Sequence, residues 1–167
     1  MATTYDKIAT TTLGSAAASI TFSSIAASWT DLRLVMTATS STNTITELQF
    51  NGDTGTSYSY TVLYGDGTSA YSSKSTNNNF IYTYATASPG GGTIPAFYTI
   101  DIFSYAGSTY KTALLTGSGD YNVSGGRVTN VVGLWRDTSA ITSVTVLPNS
   151  GTYSTGTTAT LYGIKAA

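Results

Sequence analysis

Apolar residues in this chain recur at every second position in short runs, and nowhere keep a 3.6-residue spacing for as long as ten residues. Ala16 to Ala18 is too short to nucleate a helix. Asp31 to Thr37 sets Leu32, Leu34 and Met36 against Asp31, Arg33 and Thr37, with Val35 the exception. Tyr58, Tyr60, Val62 and Tyr64 share one face of a run that stops at Gly65-Asp66-Gly67. Phe80, Tyr82 and Tyr84 repeat that pattern after the polar stretch Ser72 to Asn79. Ala96 to Tyr105 places Tyr98, Ile100 and Ile102 together, and Lys111 to Thr116 stops at Gly117-Ser118-Gly119. Arg127 to Arg136 groups Val128, Val132 and Leu134 opposite Val131 and Trp135. Tyr5 to Leu13, Ser19 to Phe22, Glu47 to Phe50, Ile141 to Leu147 and Thr158 to Ile164 complete the set. These runs predict an all-β, antiparallel β-sandwich of jelly-roll type with about ten short strands. One domain spans 1–167, with residues 1–4 as an extended N-terminal arm, and Asn77 to Asn79 and Gly90 to Gly92 as mobile loops.

Composition then removes whole classes of function. The chain has 167 residues with no Cys and no His, which excludes zinc fingers, thiolate chemistry, disulfide frameworks and imidazole-based triads. Seven basic residues, scattered singly, do not make a phosphate-neutralising patch, so no nucleic-acid partner is expected. No apolar run approaches the roughly 18 residues of a bilayer-spanning helix, and Met1 to Lys7 leads into no signal-peptide core. Absence of cysteine fits synthesis in a reducing cytoplasm.

Only 9% of the residues are charged, where about 25% is usual, and the net charge is −1. Ser and Thr supply 55 residues instead. A free surface so poor in charge is weakly protected from association, which points to a surface destined for a partner.

Candidate chemistry is sparse. Asp53-Thr54-Gly55-Thr56-Ser57 spells an aspartic-protease tripeptide with its usual continuation, and Val131-Val132-Gly133 supplies an apolar-apolar-Gly element. That chemistry needs two carboxylates sharing a proton, and a glycine-rich hairpin from Phe50 to Tyr58 explains the same residues. Asp101, in an apolar strand, is the one aspartate that suggests a glycosidase carboxylate, yet nothing fixes a second at the required separation. Asp53, Asp66 and Asp120 lie among glycines, where Asp serves its own backbone, although a loop calcium site could be drawn from them. No catalytic residue, cofactor or metal is therefore assigned. The tyrosines remain: Tyr58, Tyr60, Tyr64, Tyr82, Tyr84 and Tyr98 fill either a core or a subunit interface, or form a sugar-stacking platform. With Trp29 and Trp135, the first five are the candidate partner-facing residues.

Three blocks carry a resemblance. Tyr5-Asp6-Lys7-Ile8-Ala9-Thr10-Thr11-Thr12-Leu13-Gly14-Ser15-Ala16 with Ser19-Ile20-Thr21-Phe22 opens the chain. Leu48-Gln49-Phe50-Asn51-Gly52-Asp53 with Tyr58-Ser59, and Gly156-Thr157-Thr158-Ala159-Thr160-Leu161-Tyr162-Gly163-Ile164, follow. Together they resemble small structural proteins of tailed bacteriophages, especially those of cyanobacterial and marine hosts, over most of the chain and least between Ser69 and Thr93. The resemblance implies a jelly-roll-like virion protein without catalytic motif, decorating the capsid as a cement protein or acting as a tail, fibre or vertex component. Its implied partners are the major capsid protein and further copies of itself, a trimer by analogy with other decoration proteins. A glycan is the candidate partner of the tail-associated alternative.

Overall fold

The computed structural model describes residues 4–87, 94–121 and 125–165, and among these it contains twelve strands and no helix. The strands are β1 (Tyr5–Thr12), β2 (Ile20–Phe22), β3 (Asp31–Ala38), β4 (Thr44–Phe50), β5 (Tyr58–Gly65) and β6 (Ala70–Asn78) in the first half. In the second half come β7 (Ile81–Ala87), β8 (Ala96–Phe103), β9 (Lys111–Asp120), β10 (Gly126–Trp135), β11 (Val144–Pro148) and β12 (Thr158–Ile164). An eight-stranded sheet runs in the order β1-β12-β3-β8-β9-β10-β5-β6, and a four-stranded sheet in the order β2-β11-β4-β7. Every pairing is antiparallel. The expected all-β sandwich is present.

Pairings nest. β1 pairs with β12, β2 with β11, β3 with β8 and β4 with β7, so early strands meet late ones layer by layer. Four strands lie outside this nest. β5 and β6 follow β4, β9 and β10 follow β8, and all four extend the larger sheet on one side.

Alternation decides the core. Leu32, Leu34 and Met36 of β3, Tyr98, Ile100 and Ile102 of β8, and Val131 and Trp135 of β10 are buried, as their spacing predicts. Opposite them the smaller sheet contributes Ile20, Phe22, Leu48, Phe50, Ile81, Val144 and Val146. The accessible surface is 7838 Å², against roughly 7,800 Å² expected of a folded chain of this mass.

Several local expectations are corrected. The polar stretch Ser72 to Asn79 forms most of β6, and Asn77 and Asn78 close that strand. Its alternation is invisible because neither face of β6 reaches the core: seven of its nine residues are exposed. Gly117 and Gly119 do not end β9, which runs on to Asp120; a Cβ at Gly117 would lie 2.4 Å from Ala85 Cβ, so glycine there admits β7 against the larger sheet. On β7 the buried positions are Ile81, Thr83 and Ala85, whereas Phe80, Tyr82 and Tyr84 are only half-buried. Phe50 to Tyr58 is no hairpin, since β4 and β5 belong to different sheets. Its turn does form: Asn51 and Gly52 both take positive φ (53° and 66°) and Asp53 N–H donates to Phe50 C=O at 2.9 Å, but the turn carries the chain across the sandwich. Gly90 to Gly92, and residues 1–3 of the expected arm, lie outside the described residues.

Candidate interaction surfaces

The seven predicted partner-facing aromatics fall into three places. Tyr58 and Trp135 stack in the core, centroids 6.3 Å apart at 18°, with Phe50 at 5.6 Å from the indole. Tyr58 Oη donates to the Phe50 and Asp53 carbonyls and accepts from Phe50 N–H at 3.0 Å; burial pushes its phenol well above the ordinary value. Neither ring reaches the surface, and Tyr60 is buried as well. Partner contact by these three is corrected to packing: their alternation faces the opposite sheet. Trp29 is half-buried near the other end of the larger sheet, over Gly163 of β12, with Nε1 donating to Asp6 at 3.2 Å. Only Tyr64, Tyr82 and Tyr84 combine partial exposure with mutual contact, and they do so around Tyr60.

Aspartates serve the fold. Trp135 Nε1 donates to Asp53 Oδ2 at 2.7 Å and Gly55 N–H to Oδ1 at 2.7 Å, and the indole bond foremost holds this carboxyl below its usual range. Asp66 accepts from Thr68 and Ser69 N–H, which lowers its pKa in the same way. Asp101 is bound by Arg33 in a two-pronged pair, Nε to Oδ1 at 2.5 Å and Nη2 to Oδ2 at 2.9 Å. Among the described residues no three of His, Cys, Asp or Glu come together as a metal cluster, and no helix is long and apolar enough to cross a membrane.

The broadest candidate surface is the outer face of the eight-stranded sheet. Strand registers lay its side chains in rows across all eight strands. One row reads Thr10, Thr160, Val35, Thr99, Thr116, Asn130, Leu63, Ser72. The next reads Thr12, Thr158, Thr37, Phe97, Ser118, Val128, Gly65, Ala70. Neither contains a charge. A third row, Lys7, Tyr162, Arg33, Asp101, Leu114, Val132, Thr61, Lys74, carries a lysine at each end and the internally neutral Arg33–Asp101 pair. Within the face, Leu63 (59% exposed), Val128 (65%), Val132 (47%) and Leu114 make an aliphatic patch across β5, β10 and β9. Threonines join the far side by hydroxyl pairs, Thr10 to Thr160 at 3.1 Å and Thr12 to Thr158 at 3.0 Å. Sequence periodicity marked Val128, Val132 and Leu134 as one face of their strand, but only register shows that three strands contribute to one aliphatic patch.

A buried lysine escaped the sequence reading. Lys111 has no exposed surface, and its ammonium donates to the Gly107, Thr109 and Thr138 carbonyls at 2.7, 2.5 and 3.3 Å. Desolvation lowers its pKa, while the three carbonyls occupy its three donors. It joins the loop before β9 to the segment after β10 and is structural.

Compared with known proteins, the chain matches no family model and is similar to no curated protein.

Proposed function

We propose that this protein is a non-enzymatic structural component of a virion, a capsid decoration (cement) protein that lies on the major capsid protein lattice through the outer face of its eight-stranded sheet. The observation that carries the reading is the pair of charge-free rows eight strands wide, into which the aliphatic patch extends through Leu63 and Val128. Eight strands at a spacing of about 4.8 Å, and three rows along them, make a face of very roughly 800 Å², the size that one partner contributes to a stable contact. Covering such a face desolvates hydroxyls and aliphatic groups, with its two lysines, Lys7 and Lys74, confined to the edge strands, so little of the gain is lost. Repetition on a lattice multiplies a modest contact by avidity.

The nested pairs β1·β12, β2·β11, β3·β8 and β4·β7 fit a jelly roll with four added strands, which agrees with the resemblance to phage structural proteins. On this reading the protein acts at the capsid surface as a homo-oligomer, a trimer at local three-fold positions, after synthesis in the host cytoplasm.

Two measurements test it. Quantitative mass spectrometry of purified virions is expected to give hundreds of copies in a simple ratio to the shell subunit; a handful would move the protein to tail, fibre or vertex, and none would overturn the virion role. Capsids stripped of the protein should break at a lower temperature and regain it on re-addition. A Leu63→Asp, Val132→Asp double variant should fold normally yet fail to re-bind or to restore the lost heat resistance.

A further inference from the structure

A second surface lies on the opposite side of the larger sheet and owes nothing to the capsid reading. Gly117 and Gly133 hold β7 close over β9 and β10, and β5 is covered as far as Val62, so that β6 and the Tyr64 end of β5 project past the smaller sheet as a ledge. Along it runs a file of five rings: Phe80 to Tyr82 at 4.4 Å, Tyr82 to Tyr84 at 5.9 Å, Tyr84 to Tyr64 at 5.8 Å and Tyr64 to Tyr71 at 4.9 Å. We propose that this file is a binding shelf for a saccharide chain, whose pyranose rings lie along the tyrosines with their hydroxyls toward the phenols and toward Ser73 and Ser75 of β6.

The shelf is built rather than left over. Between the pairings Ile45–Thr86 and Glu47–Tyr82, β7 advances four residues while β4 advances two, a bulge with Tyr84 at its centre. Tyr84 takes φ 60°, a costly conformation for a bulky residue, and bulges of this kind re-aim side chains. Here the ring is turned onto Tyr64 of the other sheet. Arg127 Nη1 donates to the Tyr84 carbonyl at 3.2 Å while its guanidinium sits 4.8 Å from the Tyr64 centroid, which braces both rings. At the other end Asn149 Nδ2 donates to Tyr82 Oη at 2.9 Å and to Glu47 at 2.7 Å, fixing that ring too. Strain at Tyr84 and braces at both ends preorganise an aromatic file.

Its chemistry favours sugar over protein. The outer face of the same sheet offers aliphatic groups over a broad area, whereas this strip is one ring wide, with four of its five rings bearing a hydroxyl. Of the five only Tyr71 is exposed, at 43%; the others are half-buried. Rings of roughly 150–250 Å² each, mostly covered already, fall well short of the ~800 Å² a protein partner needs. On β6, Tyr71, Ser73 and Ser75 pair with Tyr64, Val62 and Tyr60 on this side of the sheet, so hydroxyls lie beside the terminal ring.

The test is binding of the full chain to a printed array of bacterial surface polysaccharides, then calorimetric titration of the brightest one. Wild type should bind saturably. Tyr71→Ala should weaken binding roughly tenfold or more, as expected for losing one stacked ring, while Tyr71→Phe and the outer-face variant Val132→Asp should bind within about threefold of wild type. Equal melting temperatures establish that the variants fold. No signal on the array, or unchanged binding by Tyr71→Ala, overturns the proposal. So does sedimentation showing that wild type dimerises and Tyr71→Ala does not, which would make the shelf a self-contact. Failure of capsid binding with polysaccharide binding intact would count against the cement role alone.

Discussion

Trp135 and Asp53 show how a single residue can mislead when read without its partner. An Asp-Thr-Gly sequence suggests a catalyst, yet its carboxylate anchors a core indole 82 positions away in the chain. Asp53→Asn should cost about 1–2 kcal/mol in denaturant unfolding, toward the low end for a charge-assisted bond because the carboxylate is part-exposed. pH supplies a second readout. Hydrogen bonds hold Asp53, Asp66 and Asp137 below their ordinary value near 3.8 in the folded chain. Their contribution is therefore complete above that value and is lost as pH falls through the folded pKa values. Glu47 runs the other way: burial raises it, so its contribution is complete below its unfolded value and is lost as pH rises through the folded one. Below about pH 4 Glu47 is protonated in both states and only the aspartates still titrate, so the melting temperature should drop there, and less steeply in Asp53→Asn than in wild type. The turn bonds of Asp66, and that of Gly55 to Asp53, are the local service that aspartates among glycines predict; the Trp135 bond was not readable locally. The protonation of Asp53, like the burial of Lys111, is set by groups that only the tertiary fold brings near.

Elements with one face in the core were readable, and those without were not. β3, β8 and β10 declare themselves through Leu32-Leu34-Met36, Tyr98-Ile100-Ile102 and Val131-Trp135 because each side chain chooses core or solvent. β6 faces solvent on nearly every side, so nothing selects apolar residues and only pairing with β5 defines it. Gly117 misleads in the reverse sense, reading as punctuation while it sets the distance between sheets. Gly117→Ala should destabilise by about 1–3 kcal/mol, since the added carbon meets Ala85 Cβ, a group with no rotamer to move. β6 is also a bare edge. Its central outward residue, Lys74, opposes Thr61, and in any antiparallel self-pairing centred there two lysines would meet. β1, at the other edge, is interrupted by a bulge at Lys7/Ala9. Both devices discourage edge-to-edge growth, which leaves contact to the faces. Lys74→Val should accordingly aggregate faster on concentration, measured by light scattering, with little change in melting temperature.

The whole molecule is lopsided: all four strands outside the nest widen one sheet, giving one broad face in which two rows carry no charge, and one narrow ledge. Because the two rows across that face carry no charge, attachment to a protein lattice should change by less than about threefold between 50 and 500 mM salt in a co-sedimentation assay. A steep salt dependence would place the contact on Lys7, Lys74 or Arg33 instead. Nesting has a different consequence, for synthesis. β12 lies between β1 and β3, and β11 between β2 and β4, so strands made early wait, with a gap between them, for strands made about a hundred residues later or more. The larger sheet is not continuous until residue 164 has left the ribosome, nor the smaller until residue 148, and such distant pairings form slowly. Nascent chains therefore have no complete face to offer. A nascent chain that stops short of β12 holds β1 apart from β3, so the broad face exists only in two pieces until that strand is made, whereas the strands of the ledge are all present by residue 135.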